Sequence, residues 1–184
     1  VLQVAIRGVD FSQHGASTAL RIGAGEPWDD AVSASVSRGL AGLECLSGIP
    51  GSAGGTPVQN VGAYGQDVAQ TIAEVTAFDR ESGEVVTFGG RECGFGYRHS
   101  RFKGQDNGRF IVCDVLFELS AGPPSVEYPD VISHMVREGV QAPALLDVRN
   151  AVLSIRRRKG MVIDPADPDT RSVGAFFMNP VVGP

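Results

Sequence analysis

The sequence predicts an α+β fold whose first part is predominantly β and which passes into a helical connection near residue 120. Three observations carry this. Short runs that alternate apolar with polar residues, or that gather Val, Ile and Phe, recur as far as Leu119. A Gly122-Pro123-Pro124 break then interrupts the chain. Beyond it, apolar residues return at helical spacing, as Val148, Val152 and Ile155 do.

Each element follows in order. Val1–Arg7 and Thr18–Ile22 read as short strands. Gly23-Ala24-Gly25-Glu26-Pro27 ends the second, and Pro27 suits a first helical position. Asp29 and Asp30 favour the positive end of a helix dipole. Trp28, Val32, Val36 and Leu40 form one apolar stripe, with Gly39 and Gly42 as terminators. Residues 48–65 hold six glycines and two prolines in 18 positions, which fits a shaped loop and neither a helix nor a central strand. Thr71–Phe88 reads as a hairpin around Arg80-Glu81-Ser82-Gly83, and Phe110–Leu119 as a strand. Ser120–Pro124 reads as a linker, Tyr128–Glu138 and Leu146–Arg158 as helices, and Asp164–Asp169 as a loop.

The bulk properties narrow the function. The chain has 184 residues, 42% hydrophobic and 20% charged, so it should bury roughly 70% of its unfolded surface. A net charge of -5 argues against a nucleic-acid surface. No apolar run approaches the ~18 residues of a membrane span. Cys45, Cys93 and Cys113 are odd in number and too scattered for a CxxC metal site, which predicts reduced thiols and no metal. No signal peptide is visible, and the expected location is cytoplasmic. The chain opens mid-pattern without Met and reads as a piece of a longer protein.

Two segments carry chemistry. Gly51–Gly55 lets backbone approach a ligand closely, and glycines at positive φ turn successive N–H groups toward an anion such as a pyrophosphate. It is neither a GxGxxG fingerprint nor a Walker loop. Phe95–Lys103 packs Arg98, His99, Arg101 and Lys103 into nine residues, which is either a solvated basic turn or an anion contact.

The wording of these segments resembles the UDP-N-acetylenolpyruvylglucosamine reductase family. Ile49-Pro50-Gly51-Ser52, Gly54-Gly55 and Gln59-Asn60-Val61-Gly62-Ala63-Tyr64-Gly65 look like its second flavin-contacting segment. The resemblance implies the FAD-binding fold of the PCMH/VAO type, with Ile49, Pro50, Gly51, Ser52, Gly54, Gly55, Gln59, Asn60, Gly62, Ala63 and Tyr64 holding FAD non-covalently. Phe95-Gly96-Tyr97-Arg98 is similar to the family's FGYR motif, with Ser100, Phe102 and Lys103 completing it. Arg98 then matches the arginine that binds the substrate carboxylate and stabilises developing charge, and Tyr97 a neighbouring substrate-side aromatic. His99 falls where the family varies.

The substrate end extends the likeness. Ile155-Arg156-Arg157-Arg158-Lys159 closes a helix with four cations, which suits a helix C-terminus in any protein. The resemblance assigns Arg156 and Lys159 to the UDP-sugar. Tyr128 matches either a substrate-side tyrosine or an ordinary helix-start aromatic. Gly174-Ala175-Phe176-Phe177-Met178-Asn179-Pro180 is similar to the family's GSFF-NP motif, so Asn179 matches a substrate-contacting asparagine. Ala175 stands where the family has the serine that protonates the intermediate, and alanine has no exchangeable proton.

The resemblance divides the chain into the second part of an FAD-binding domain (1–120), a helical connection (121–160) and the start of an α+β substrate-binding domain (161–184). It implies hydride transfer from NADPH, through FAD, to the enolpyruvyl group of UDP-N-acetylglucosamine enolpyruvate, giving UDP-N-acetylmuramate for peptidoglycan. Ala175 predicts impaired turnover. The rival is a catalytically inactive FAD- or UDP-sugar-binding homologue.

Overall fold

The computed structural model describes residues 3–170. Strand β1 (Val9–His14) folds back on β2 (Ser17–Gly23) as an antiparallel hairpin. Helix α1 (Trp28–Ser37) follows, then β3 (Leu40–Ala41). A two-residue pair, β4 (Gly62–Ala63) and β5 (Gln66–Asp67), closes the glycine-rich stretch. Next come β6 (Ile72–Asp79), β7 (Val85–Gly89) and β8 (Phe110–Ala121). Helices α2 (Pro129–Arg137) and α3 (Leu145–Arg158) complete the described chain.

The main sheet runs β1-β2-β8-β6-β7, with β3 also paired to β8, and all of these pairings are antiparallel. The expected 71–88 hairpin forms as β6 and β7, with Phe78 opposite Val85 and Gly83 at φ +77° in the turn. β8 alternates inward Val115, Phe117 and Leu119 with more exposed residues, so one sheet face meets α1. There Trp28 tilts against Phe117 with ring centroids 5.6 Å apart, and its indole N–H donates to the Leu46 carbonyl at 3.1 Å. Burying each aliphatic side chain such as Val32 or Leu20 contributes about 1.5–3 kcal/mol. A second cluster joins Val131 and Met135 of α2 to Val148, Val152 and Ile155 of α3, over Cys45.

Three expectations change. Residues 3–7 form no strand. Their backbone instead crosses over two glycines, whose amides donate at 2.8 Å from Gly23 to the Gly8 carbonyl and from Gly25 to that of Ile6. A Cβ on Gly23 would stand 2.6 Å from the Ile6 oxygen, so the crossing needs glycine. Leu40 leaves the α1 stripe because Gly39, at φ +72°, stops the helix, and Leu40 pairs with Ala121 instead. That pairing also draws Ser120 and Ala121 out of the expected linker and into β8.

Among the described residues no helix is long and apolar enough to cross a membrane. Nor does any group of three or more His, Cys, Asp or Glu among them suit a metal ion.

Candidate functional site

The glycine-rich segment leaves α1's N-terminal end and returns beneath the Arg98 segment. Gly51 takes φ +118°, and its carbonyl accepts from the Trp28 amide at 3.0 Å. Ala53, Gly54 and Gly55 make a single tight turn whose amides are used internally, on Glu26, Ala24 and Ser52 carbonyls at 2.9, 2.9 and 3.0 Å. A Cβ on Gly54 would stand 2.5 Å from Ala24 Cβ, so glycine seats the turn on the sheet. The Gly51 and Ser52 amides donate to no acceptor among the described residues, and both residues are exposed. Two free N–H groups at a left-handed glycine can take an anion. Ile49 is half-buried, while Pro50 and Gln59 are exposed.

Tyr64 and Gly65 link β4 to β5, with φ +51° and +87°. Positive φ at both central positions is the two-residue hairpin turn that matches strand twist. Gly62 and Ala63 supply one strand of it. The turn carries Tyr64 outward, where its ring meets Tyr128 edge-on at 5.3 Å.

Arg98 joins this hairpin to the FGYR segment. Its Nη1 donates to the Asn60 carbonyl at 3.3 Å and its Nη2 to the Gly62 carbonyl. Asn60 completes the junction: its Nδ2 donates to the Gly96 carbonyl and its Oδ1 accepts from the Ala69 amide, each at 3.0 Å. Lys103 Nζ donates to the Arg98 carbonyl at 3.1 Å, and the buried Ser100 hydroxyl to that of Val58 at 2.6 Å. Tyr97 stays 61% exposed beside the Arg98 guanidinium. Asn60, Tyr64 and Arg98 are the non-glycine residues at positive φ among those described. Such conformations need surrounding support; Asn60 and Arg98 meet here, and Tyr64 lies in the adjoining turn, two residues beyond Gly62.

Helix α3 supports the segment from behind. Arg156 is 9% exposed, with Nε donating to the Gly48 carbonyl at 3.3 Å and Nη2 to that of Met161 at 3.0 Å. Burial lowers its pKa while the adjacent Tyr64 hydroxyl opposes the shift. Lys159 is exposed and pairs with Asp130 at 3.5 Å. The structure therefore brings Asn60, Gly62, Tyr97 and Arg98 together, and separately Tyr64, Tyr128 and Arg156. Ala175 and Asn179 lie outside the described residues.

Two side chains that the sequence marks only as helix residues, or leaves unmarked, also bear on the loop, Asp29 directly and Arg149 through Asp29. Asp29 accepts from the Gly48 amide, and Arg149 forks onto Asp29. Beside Tyr64 opens a cavity of about 440 Å³ whose walls include Glu44, Glu118 and Glu127. Its acidic walls suit no phosphate, which sets it apart from the free amides of the loop.

Residues 2–89 match the family model described as an FAD binding domain. UDP-N-acetylenolpyruvoylglucosamine reductase of Thermobifida fusca is 54% identical over 166 residues, 89% of this chain and 46% of that protein. The Streptomyces coelicolor enzyme of the same name is 49% identical over 184 residues, 98% of this chain and 47% of its own length. The crystal structure of the Thermus caldophilus reductase superposes with a TM-score of 0.61 at 28% identity, covering 87% of this chain and 48% of that one. The chain spans about half the length of the curated relatives it matches.

Proposed function

Because the chain belongs to the UDP-N-acetylenolpyruvoylglucosamine reductase family, we propose that it forms the flavin-facing and part of the substrate-facing wall of an FAD- and NADPH-dependent reductase. Its substrate is UDP-N-acetylglucosamine enolpyruvate, and its product serves peptidoglycan synthesis. One observation carries this reading. Arg98 is locked by the Asn60 and Gly62 carbonyls to the same loop that offers the free Gly51 and Ser52 amides.

The residues present fit FAD. Gly51 and Gly55 have open space where a Cβ would stand, and the Gly51 and Ser52 amides, exposed and without an acceptor among the described residues, are left for a pyrophosphate or flavin edge. When bound, FAD supplies the route by which a hydride from NADPH reaches the enolpyruvyl group. Ile49, Pro50, Ser52, Gly54, Gln59, Ala63 and Tyr64 complete the cradle in this proposal. The protein's own part is electrostatic. Arg98 keeps donors beyond the two it gives to carbonyls, and these hold the substrate carboxylate as negative charge builds on it. Held carbonyls on one side keep the guanidinium from swinging away. Tyr97 closes over the carboxylate end. Lys159 and Tyr128 take the UDP-sugar, with Arg156 acting from behind Tyr64. Residues 1–120, 121–160 and 161–184 serve as flavin domain, connection and start of the substrate domain.

Ala175 cannot donate the proton that the second carbon needs, so turnover is lower by roughly 100-fold or more than with serine there. That observation also favours a second reading, a homologue that binds FAD and the UDP-sugar without turning over.

The deciding experiment uses the full-length, FAD-loaded protein under anaerobic conditions, reduced with NADPH and then given the enolpyruvyl UDP-sugar while flavin absorbance is followed. Reoxidation by the substrate supports the reductase. Flavin that is reduced but never reoxidised, with recovery in Ala175→Ser, places the defect at residue 175. No recovery in that variant favours the binding homologue, and no flavin binding defeats both readings.

A further inference from the structure

We propose that Asp29 and Arg149 are positioning residues for the glycine-rich loop, acting through Gly48 at its N-terminal root. The proposal rests on the flavin reading above and extends it to two residues that touch neither ligand in that reading.

The contacts converge on a single peptide position. Arg149 Nη1 and Nη2 donate to Asp29 Oδ1 and Oδ2 at 2.7 and 2.8 Å, a forked pair joining α3 to α1 across 120 residues. Asp29 Oδ1 also accepts from the Gly48 amide at 2.6 Å. On the opposite side, Arg156 donates to the Gly48 carbonyl at 3.3 Å. Gly48 is buried at φ +69°, and a Cβ there would stand 2.8 Å from Leu153 Cδ2 of α3. Both polar groups of Gly48 are thus held by charged side chains, and the third wall is α3 itself.

From Gly48 the chain has only two residues before Gly51, whose free amide opens the anion cradle. A shift at Gly48 passes directly into those amides. Charge-assisted hydrogen bonds are short and strong, and a binding constellation must be held to about 0.5 Å. Asp29 is placed to do this. Burial opposes its charge, yet the Arg149 fork, the Gly48 amide and the Arg149 and Arg156 charges outweigh burial and hold its carboxyl below the usual range. α3 therefore meets both ends of the segment, Gly48 through this clamp and Tyr64 through the apolar cluster it shares with α2.

The test compares Asp29→Ala with Asp29→Asn in the full-length flavoprotein, reading FAD dissociation constant, flavin visible circular dichroism and Tm. Asparagine keeps an acceptor for the Gly48 amide but loses the charge; alanine loses both. The expected result is about tenfold weaker FAD binding with an altered flavin signal in Asp29→Ala, and a change within about threefold in Asp29→Asn. A merely structural ion pair would lower Tm in both variants and leave FAD affinity at the wild-type value, which overturns the proposal. If Asp29→Ala does not fold, Arg149→Met and Arg149→Lys replace it. Weakened FAD binding in methionine that recovers in lysine supports the clamp, and wild-type affinity in methionine refutes it. Wild-type protein that binds no FAD defeats the underlying reading, whereas normal wild-type binding with insensitive variants defeats the clamp alone.

Discussion

Adding a single methyl group at Gly62 tests how Arg98 is held. Gly62 is not at positive φ, so alanine there brings no backbone strain and acts by volume alone. Its Cβ would stand 2.8 Å from Asp67 Cβ, 2.9 Å from Arg98 Nη1 and 2.9 Å from the Gln66 carbonyl oxygen. Two of these neighbours belong to the opposite strand of the β4–β5 pair, so the hairpin must open or the guanidinium must leave. Overpacking of this kind costs about 1–3 kcal/mol in stability. Displacing Arg98 also breaks its bond to the Gly62 carbonyl, and a hydrogen bond to a charged group contributes about 1.5–3 kcal/mol. At about 1.4 kcal/mol per tenfold, a loss of that size in charge stabilisation lowers turnover roughly 10- to 100-fold. The assay is steady-state NADPH oxidation by the full-length protein carrying Ala175→Ser, with FAD affinity and Tm measured alongside. FAD affinity should fall less than turnover, because the new methyl meets Arg98 and the β5 strand and not the Gly51–Ser52 amides, although Ala63 and Tyr64 share the disturbed hairpin. Gly65→Ala is the control: Gly65 has φ +87° and open space around it, so alanine strains the turn by about 1–2 kcal/mol without meeting Arg98. Gly62→Ala with undiminished turnover would refute the placement of Arg98 in the reaction.

Two further outcomes follow from the fold. Burial pushes the Cys45 thiol up to about 12 and the Cys93 thiol up to about 11, whereas Cys113 is only partly buried. Maleimide at neutral pH should therefore label Cys113 first and the other two only on unfolding, and rapid labelling of Cys45 in native protein would contradict the packing of α3 on residues 44–46. The Arg109 fork, against burial, holds the Asp79 carboxyl well below the usual carboxylate range. Because this folded-state pKa is depressed, the stabilisation is complete above the unfolded value near about 3.9 and is lost as pH falls toward the folded one. Asp79→Asn should remove that part of the acid slope in urea unfolding measured from pH 5 downward, and an unchanged slope would count against the pair.

What the sequence reveals depends on how local each cause is. The β6–β7 hairpin was legible because Arg80–Gly83 separates two β-rich runs, and α3 because its apolar residues keep helical spacing. The glycine-rich stretch was legible as a shaped loop from composition alone. The β4–β5 pair was not: strands of two residues show no periodicity, and the turn puts a tyrosine where glycine or asparagine is the usual signal. Leu40 fitted the helical stripe, and only its partner Ala121, far along the chain, explains its place in a strand. At the site, the arginines of the FGYR and α3 segments could be found as charges, but not which carbonyls they meet. Arg156 reads as an exposed helix-end cation, yet it is buried under Gly48 by a contact spanning 108 residues. The Asp29–Arg149 pair is hidden for the same reason, since neither residue has a local pattern pointing to the other.

The strand order has a consequence for the chain as it leaves the ribosome. β8 lies between β2 and β6, yet among the described residues it is the last strand of this sheet to be made. The β1–β2 and β6–β7 hairpins can form as they emerge, but each keeps one open edge until Phe110–Ala121 arrives. At about 5–20 residues per second, β2 waits on the order of 5–20 s for its partner. Through that interval Leu20 and Ile22 have no β8 to pack beside, and unpaired edges of this kind are where nascent chains associate wrongly. Arg98 and the glycine-rich loop are both synthesised before that strand, so the sheet on which they are carried closes only when one late segment slides between two hairpins already made.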